Sequence, residues 1–128
     1  DFVNDDGDPM DDNGHGTLVE GIVAANGYLK GVAPDAKLLA YKVLDNNGSG
    51  YESDVIAGMG KAIEDDAHIM SMSFGFSGSS ILLSLGINYA IVHGVIVAAA
   101  AGNDGPCFGT INSPASYESV IAVGDTMD

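Results

Sequence analysis

The chain has 128 residues, 46% of them hydrophobic, and 18 acidic residues against four lysines give it a net charge of −14. This length and apolar fraction are typical of one folded domain and exclude an intrinsically disordered chain. The charge argues against a nucleic-acid partner, because so acidic a surface repels phosphate backbones. The longest apolar run, VIVAAAA at 95–101, is too short to span a membrane.

The first half of the chain predicts a loop, two helices and a strand. Residues 1–13 form an acidic loop, and a helix is expected over 15–25. The apolar segment KLLAYKV (37–43) predicts a buried strand, followed by the turn-rich DNNGSG. A second helix is expected over 52–65, where apolar residues recur at helical spacing and acids stand near the positive end of the helix dipole.

The second half alternates strands with a helix. Strands are expected over 68–73, 95–101 and 120–123, and a helix over 79–93 is ended by a glycine. Apolar runs without polar alternation predict strands covered on both faces, hence a three-layer α/β fold with a mostly parallel sheet flanked by helices. With no linker or repeat, residues 1–128 are interpreted as belonging to one domain.

A histidine between two glycines stands at the predicted start of the first helix, in NGHGT at 13–17. The glycines let another chain approach and leave the imidazole exposed, and histidine suits proton transfer near neutral pH. His15 is therefore a candidate general base, with a simple turn histidine as the alternative. His68 and His93, at the ends of predicted elements, are interpreted as structural.

A second candidate follows the most apolar strand, in AAAAGNDG at 98–105. Polar groups that follow strands of a parallel sheet meet at one edge, where sites collect. The amide of Asn103 could there donate to an oxyanion, and an ordinary Asn-Asp-Gly turn is the alternative. Cys107 is disfavoured as a nucleophile, because no helix follows GPCFG to stabilise a thiolate.

Five segments in order resemble those of the subtilisin-like (S8) serine peptidases, and together they cover nearly all of the chain. They are NGHGT with the following V-x-G, GVAPDAKLLAYKVLDNNGSG, SMSFG, AAAAGNDG and SPASYESVIAVG. The resemblance implies that residues 1–128 are a partial subtilisin-like peptidase domain with an incomplete subtilisin-like fold. It also implies hydrolysis of peptide bonds in extended polypeptides by a Ser-His-Asp mechanism.

The resemblance also implies roles for particular residues. His15 would be the general base, and Asn103 would donate to the oxyanion of the tetrahedral intermediate. An extended peptide would bind between two backbone segments by strand addition. The implied substrate-binding residues are Gly48, Ser49 and Gly50 on one side and Ser73, Phe74 and Gly75 on the other, with Gly102 beside the oxyanion donor.

Several departures from the family pattern point to an incomplete or degenerate site. The 128 residues contain neither the family's Asp-Thr/Ser-Gly segment nor its Gly-Thr-Ser segment, so the aspartate and serine are expected elsewhere and the isolated chain is expected to be inactive. Four residues differ from the usual types: Leu18, Glu20, Ser71 and Phe76. A non-catalytic pseudoprotease or peptide-binding module is thus the alternative function.

The family tendency to bind calcium directs attention to Asn4, Asp6 and Asp8, whose alternating oxygens suit Ca²⁺, although an acidic solvent loop fits equally well. No organic cofactor is expected. The resemblance implies protein or peptide substrates, the remainder of a peptidase domain as partner, and a secreted or cell-surface location in a bacterium or archaeon. A nucleotide-binding doubly wound domain is disfavoured, because the chain has no glycine-rich phosphate motif.

Overall fold

A computed structural model of the protein describes residues 1–125. In chain order its elements are α1 (His15–Ala24), α2 (Glu52–Glu64), β1 (Ile69–Met72), α3 (Ile81–Val92), β2 (Ile96–Ala100) and β3 (Ile121–Val123). The predicted α/β class is confirmed, and the three predicted helices begin and end within two residues of their expected bounds. None of the helices in the described part of the chain is long and apolar enough to cross a membrane.

The chain folds as two compact units, Asp1–Gly58 and a second that begins at Met59. In the first unit, α1 begins after Gly14, whose φ of 95° is left-handed and suits glycine. The helix ends where the chain returns along it: Val32 N donates to Ile22 O and Ala33 N to Val23 O, at 3.0 and 2.7 Å. The last carbonyls of α1 are thereby satisfied by backbone rather than by water.

The predicted buried strand at 37–43 is wrong. The segment forms no strand among the described residues, and Leu38 and Leu39 are about half exposed. The amide of Phe2 donates to Lys42 O at 2.9 Å, but one such bond does not make a ladder. A strand requires a neighbour along its whole length, which the apolar pattern of a single segment cannot reveal.

The second unit contains a parallel sheet in the order β1-β2-β3. Ile69 pairs with Ile96 at the start of β1 and β2, and Ala98 pairs with Ile121 where β3 joins. Parallel neighbours require a crossover, and α3 supplies the one between β1 and β2. The parallel sheet predicted from the sequence is confirmed, and its three strands end at one edge.

The core of the second unit lies between α3 and the sheet. Leu83, Ile87 and Ala90 of α3 are no more than 1% exposed, as is Val97 on the central strand. The hydroxyl of Ser80 accepts a hydrogen bond from Leu83 N and caps α3, because the first amides of a helix have no partner within it.

The opposite face of the sheet is more open than the apolar runs predict. Side chains alternate between buried and exposed along β1, and Ile69, Ile96 and Ile121 are each more than half exposed. The side of the sheet that carries these isoleucines is therefore partly exposed within residues 1–125.

Replacing Leu83 with Ala should lower the free energy of unfolding by about 2–5 kcal/mol, because it removes a fully buried side chain and leaves a cavity under α3. The control is Leu29→Ala, since Leu29 is 78% exposed and its loss should change stability by less than about 0.5 kcal/mol. Urea unfolding followed by circular dichroism measures both. Equal effects of the two substitutions would show that α3 does not form the core.

Candidate functional site

His15 is the first residue of α1, and its side chain is exposed. The backbone amide of His15 donates to Asn13 Oδ1 at 3.2 Å, and this hydrogen bond ties the residues before the helix to its first residue. Gly14, in its left-handed conformation, lets the chain turn sharply into the helix with no neighbouring atom within 4 Å of an added Cβ. This arrangement presents the imidazole to solvent at a fixed point of the helix.

The carboxylate of Asp11 organises this turn. It accepts from the amides of Asn13, Gly14 and Thr17 at 2.8–3.0 Å and from the hydroxyl of Thr17 at 2.6 Å. The Thr17 hydroxyl bond, followed by those from the amides, lowers the pKa of Asp11 far below its usual range. An ionised carboxylate thus accepts hydrogen bonds from backbone amides that have no partner within α1, and it fixes the turn that carries His15.

Asn13 joins this turn to the loop that contains the predicted residues 48–50. While its oxygen accepts from His15, its Nδ2 donates to Asn46 O at 2.9 Å. Within the first unit the structure therefore brings the candidate base beside one of the two predicted substrate-binding segments.

The loop at 45–50 is held by a second carboxylate. Asp45 Oδ1 accepts from the amides of Asn47 and Ser49 at 2.8 and 2.9 Å, and the Ser49 amide is the larger cause of its lowered pKa. Gly50 packs so closely on Val43 O that a Cβ there would overlap the carbonyl. Residues 48–50 accordingly occupy a defined conformation without belonging to a strand.

In the second unit, the segment after β2 contains the predicted oxyanion donor. Gly102 has φ of 100°, and a Cβ on it would lie 2.6 Å from Asn112 Nδ2. Asn112 closes this loop: its amide donates to Ala101 O at 2.9 Å and its side chain to Asp104 Oδ2 at 3.0 Å. Asn103, between these anchored residues, is exposed.

The second predicted substrate-binding segment, 73–75, follows β1 and lies beside the same asparagine. Phe76 and Ser113 exchange backbone hydrogen bonds at 3.0 and 3.1 Å, which form an antiparallel bridge. A Cβ on Gly75 would lie 3.0 Å from Ser113 O and 3.2 Å from Asn112 Cβ. Residues 73–75 and 102–103 are therefore drawn together around Asn112.

Buried polar contacts hold residues 113–117 against the chain beyond residue 76. The hydroxyl of Ser113, fully buried, donates to Gly78 O. The hydroxyl of Tyr117 both donates to Ser80 O and accepts from Ser80 N, at 2.9 Å each. These bonds fix residues 113–117 against the chain that follows the 73–75 segment.

A shallow pocket of about 140 Å³ opens on the sheet next to these segments. It is lined by Ser71, Met72 and Ser73 with residues 98–100 and Val123. Its small polar and apolar walls contain no titratable group, so the pocket itself offers no acid or base.

The calcium prediction finds no support in the contacts of its three residues. Asn4 donates through Nδ2 to Asp1 Oδ2 at 2.8 Å, and Asp6 Oδ1 accepts from the amide of Asp8 at 2.9 Å. Within residues 1–125 no group of three or more His, Cys, Asp or Glu side chains is arranged to hold a metal ion. Calcium binding at Asn4, Asp6 and Asp8 stays a prediction.

The remaining residues singled out in the sequence lie apart from these segments. His93 caps the end of α3, with Nδ1 2.8 Å from Tyr89 O, in agreement with a structural role. Cys107 is exposed. Leu18 is exposed on α1, and Glu20 is partly exposed in a helix with no buried residue, so its carboxylate is accommodated without a tight pocket.

Several positioning residues escaped the sequence analysis, among them Asp11, Asn13 and Asn112. Asp11 could have been found, because an acid just before a helix start is a capping signal, but it stands within a run of acids that obscures it. Asn13 and Asn112 act on segments distant in sequence, and nothing in their immediate neighbours shows that contact.

Replacing Gly102 with Ala should lower the free energy of unfolding more than replacing Gly109. Both glycines have positive φ, which alone disfavours Ala by about 1–2 kcal/mol, but only Gly102 would also press its Cβ on Asn112. In an Asn112→Gly background the additional loss should disappear, a non-additivity of about 1 kcal/mol or more. Urea unfolding of the four variants measures this, and equal effects at both glycines would contradict it.

Replacing Asp11 with Asn should reduce the dependence of the free energy of unfolding on pH in the acidic range. Since the folded-state pKa of Asp11 is lowered, its contribution is complete above the unfolded-state value of about 3.9 and is lost as pH falls through the folded-state pKa. Between pH 5 and 2 the wild type should therefore lose more unfolding free energy than Asp11→Asn. Asp35→Asn, at an exposed carboxyl, is the control, and parallel curves for Asp11→Asn and wild type would refute this role.

Comparison with known proteins supplies the family. The sequence model of the peptidase S8 family, described as the subtilase family, matches residues 1–128. Minor extracellular protease Vpr of Bacillus subtilis (strain 168) is 44% identical over 137 residues, covering 98% of this chain and 17% of that protein. Thermitase of Thermoactinomyces vulgaris is 42% identical over 130 residues, covering 98% of this chain and 46% of that protein.

Solved structures give the same result. Sphericase superposes with a TM-score of 0.77 at 42% identity, over 81% of this chain and 37% of that one. The S41 psychrophilic protease has a TM-score of 0.76 at 39% identity, again over 81% of this chain and 37% of its own. The chain thus spans less than half the length of these relatives, and with its full length matched it belongs to the subtilase family.

Proposed function

We propose that this chain contributes the general base and the oxyanion donor of a serine endopeptidase. The observation that carries the proposal is that the family match runs through both the His15 and the Asn103 segments, each of which is exposed and fixed by its own loop. Relatives include proteins named as a thermophilic serine proteinase and as extracellular proteases, in support of peptide-bond hydrolysis and of secretion.

In this mechanism His15 takes the proton of a serine hydroxyl as the serine attacks the substrate carbonyl, and later returns it to the leaving amine. Asn103 donates through its amide to the oxygen that becomes negative in the tetrahedral intermediate. Asp11 holds the turn of His15, and Asn112 holds the loop of Asn103, so that neither group needs to reorganise during the reaction.

Substrate binding would use backbone rather than side chains. Residues 48–50 and 73–75 lie outside strands; the first segment contains two glycines and the second contains one. An extended peptide can therefore add as a strand to each of them, and it would be selected by shape more than by charge. Gly102 would join this surface as the residue before Asn103, and its close approach to Asn112 leaves no room for a side chain there.

The serine and aspartate of the mechanism would come from chain outside these 128 residues, which contain neither family segment. A polypeptide limited to residues 1–128 is then expected to be inactive, because loss of the nucleophile alone lowers turnover by about 10⁶. The non-catalytic peptide-binding module stays the second candidate, favoured by Leu18 in an exposed position of α1 and by Phe76 beside the substrate segment.

The test uses the protein at its natural length with a serine-directed fluorophosphonate and an extended peptide substrate. His15→Ala should abolish labelling and proteolysis, whereas His93→Ala, at the end of α3, should leave both unchanged. Asn103→Ala should lower kcat by about 10²–10³ with little change in KM, because its bond forms only in the transition state.

The alternative gives the opposite result. Natural-length protein that binds extended peptides but is neither labelled nor proteolytic would establish the peptide-binding module. Residues 1–128 alone should not label in either case, so labelling of that polypeptide would contradict the proposed source of the serine.

A further inference from the structure

Three asparagines in the chain are followed directly by glycine, in the pairs Asn13–Gly14, Asn26–Gly27 and Asn47–Gly48. In such a pair the backbone nitrogen of the glycine can attack the side-chain carbonyl carbon of the asparagine, because glycine has no side chain to obstruct the approach. Asparagine is one of the thermolabile residues for this reason. Each pair is therefore a candidate site of spontaneous deamidation.

The chemistry of deamidation shows which contacts oppose it. The glycine nitrogen loses its proton and bonds to Cγ of the asparagine, and the Cγ–Nδ2 bond breaks as Nδ2 leaves as ammonia. Water then opens the resulting succinimide ring at one of its two carbonyl carbons, which gives aspartate or isoaspartate and a gain of one mass unit. Hydrogen bonds that the glycine N–H and the asparagine Nδ2 donate must break first, so they slow the reaction.

The pair Asn13–Gly14 is held at both of these atoms. Gly14 N donates to Asp11 Oδ1 at 2.8 Å, and Asn13 Nδ2 donates to Asn46 O at 2.9 Å. Hydrogen bonds keep the pKa of Asp11 low, so its carboxylate is charged. Removal of a proton from a nitrogen that faces this charge is disfavoured, because it would place two negative groups together.

The pair Asn47–Gly48 is held through its backbone. Gly48 N donates to Asp45 O at 2.9 Å, and Asn47 N donates to Asp45 Oδ1 at 2.8 Å. The turn at 45–48 must therefore open before the glycine nitrogen can attack. The groups that hold this pair and the pair at 13–14 all belong to this chain, so the protection requires nothing from outside residues 1–128.

The pair Asn26–Gly27 lies in an exposed turn after α1 and has no such protection. The turn is closed around it by a hydrogen bond from Gly31 N to Ala25 O at 2.8 Å. Within residues 1–125, neither the Gly27 amide nor the Asn26 side chain makes a hydrogen bond of ordinary geometry. A Cβ on Gly27 would meet no atom within 4 Å, so the space around the reacting atoms is open.

We propose that Asn26 is a deamidation site of the folded protein, and that the hydrogen bonds around Asn13 and Asn47 protect those two residues. All three have glycine as the next residue, so the difference between them comes from the fold. An isoaspartate at position 13 would lengthen the main chain by one carbon just before Gly14 and would disrupt the turn of His15. At position 26 the same change falls in an exposed turn outside the candidate site.

Peptide mapping by mass spectrometry tests the proposal on the natural-length protein, treated with a fluorophosphonate against self-digestion and incubated at mildly alkaline pH. In urea all three asparagines should gain one mass unit at similar rates. In the folded protein Asn26 should react within a few-fold of its unfolded rate, whereas Asn13 and Asn47 should slow by at least roughly 10-fold. Folded protein in which Asn26 is as slow as the other two, or Asn13 as fast as Asn26, overturns the proposal.

Two variants test the protection of Asn13 separately. Asp11→Ala should raise the rate at Asn13 by at least roughly 10-fold and leave Asn47 slow, because only the Gly14 amide is released. Asp12→Ala is the matched control, since the Asp12 carboxylate bonds to Lys42, and it should change neither rate. An unchanged rate at Asn13 in a folded Asp11→Ala protein contradicts the protection. If that variant unfolds, Asn47 accelerates as well, and the wild type compared folded and in urea decides.

A third variant tests the chemistry at Asn26. Gly27→Ala places a methyl group on the attacking residue, where the structure has space for it, and should slow deamidation at Asn26 several-fold without unfolding the protein. A gain of mass at Asn26 that is as fast in Gly27→Ala as in the wild type would show that the Gly27 nitrogen is not the attacking group.

Discussion

The parallel pairing of β1, β2 and β3 is the constraint on which the second half of the molecule depends. Parallel strands finish at one edge, and the segments 73–75 and 101–103 leave β1 and β2 side by side at that edge. The pairing of Met72 with Ala99 sets how far each segment extends beyond the sheet. Leu83 and Ile87 of α3 are buried against the central strand, and this packing holds the register of the strands. If a strand slipped by one residue, its own buried side chains, such as Val97 of β2, would turn away from α3.

Polar side chains then fix what the sheet brings together. Asn112 fills the space above Gly102 and approaches Gly75, so one residue determines the conformation of two loops. Asp11 and Asp45 act in the same way in the first unit, where each carboxylate accepts hydrogen bonds from several backbone amides of one turn. The segments that contain His15 and Asn103 are thus held by neighbouring residues, and both of these side chains stay exposed.

The sequence predicted those elements whose signals are local. Helical periodicity, glycine at a helix end and apolar runs identified α1, α2, α3 and the three strands, and the histidine and asparagine motifs pointed to the family. The prediction failed at 37–43, where strand formation depends on a neighbour that the segment does not specify. It missed Asn112 for the same reason, since its partner Asp104 and its close contacts at Gly102 and Gly75 are defined only in three dimensions.

The hydrogen bonds of Asp11 have a consequence for how the chain folds. All of them join residues no more than six positions apart, so the turn that carries His15 closes with almost no loss of loop entropy. The loop of Asn103 instead requires Asn112 to return across eight or more residues, to Asp104 and Ala101. The bonds of Asp11 therefore lie within residues 11–17, whereas the loop of Asn103 also depends on the close approach of Gly75 to Asn112, two residues far apart in the chain whose contact costs more chain entropy.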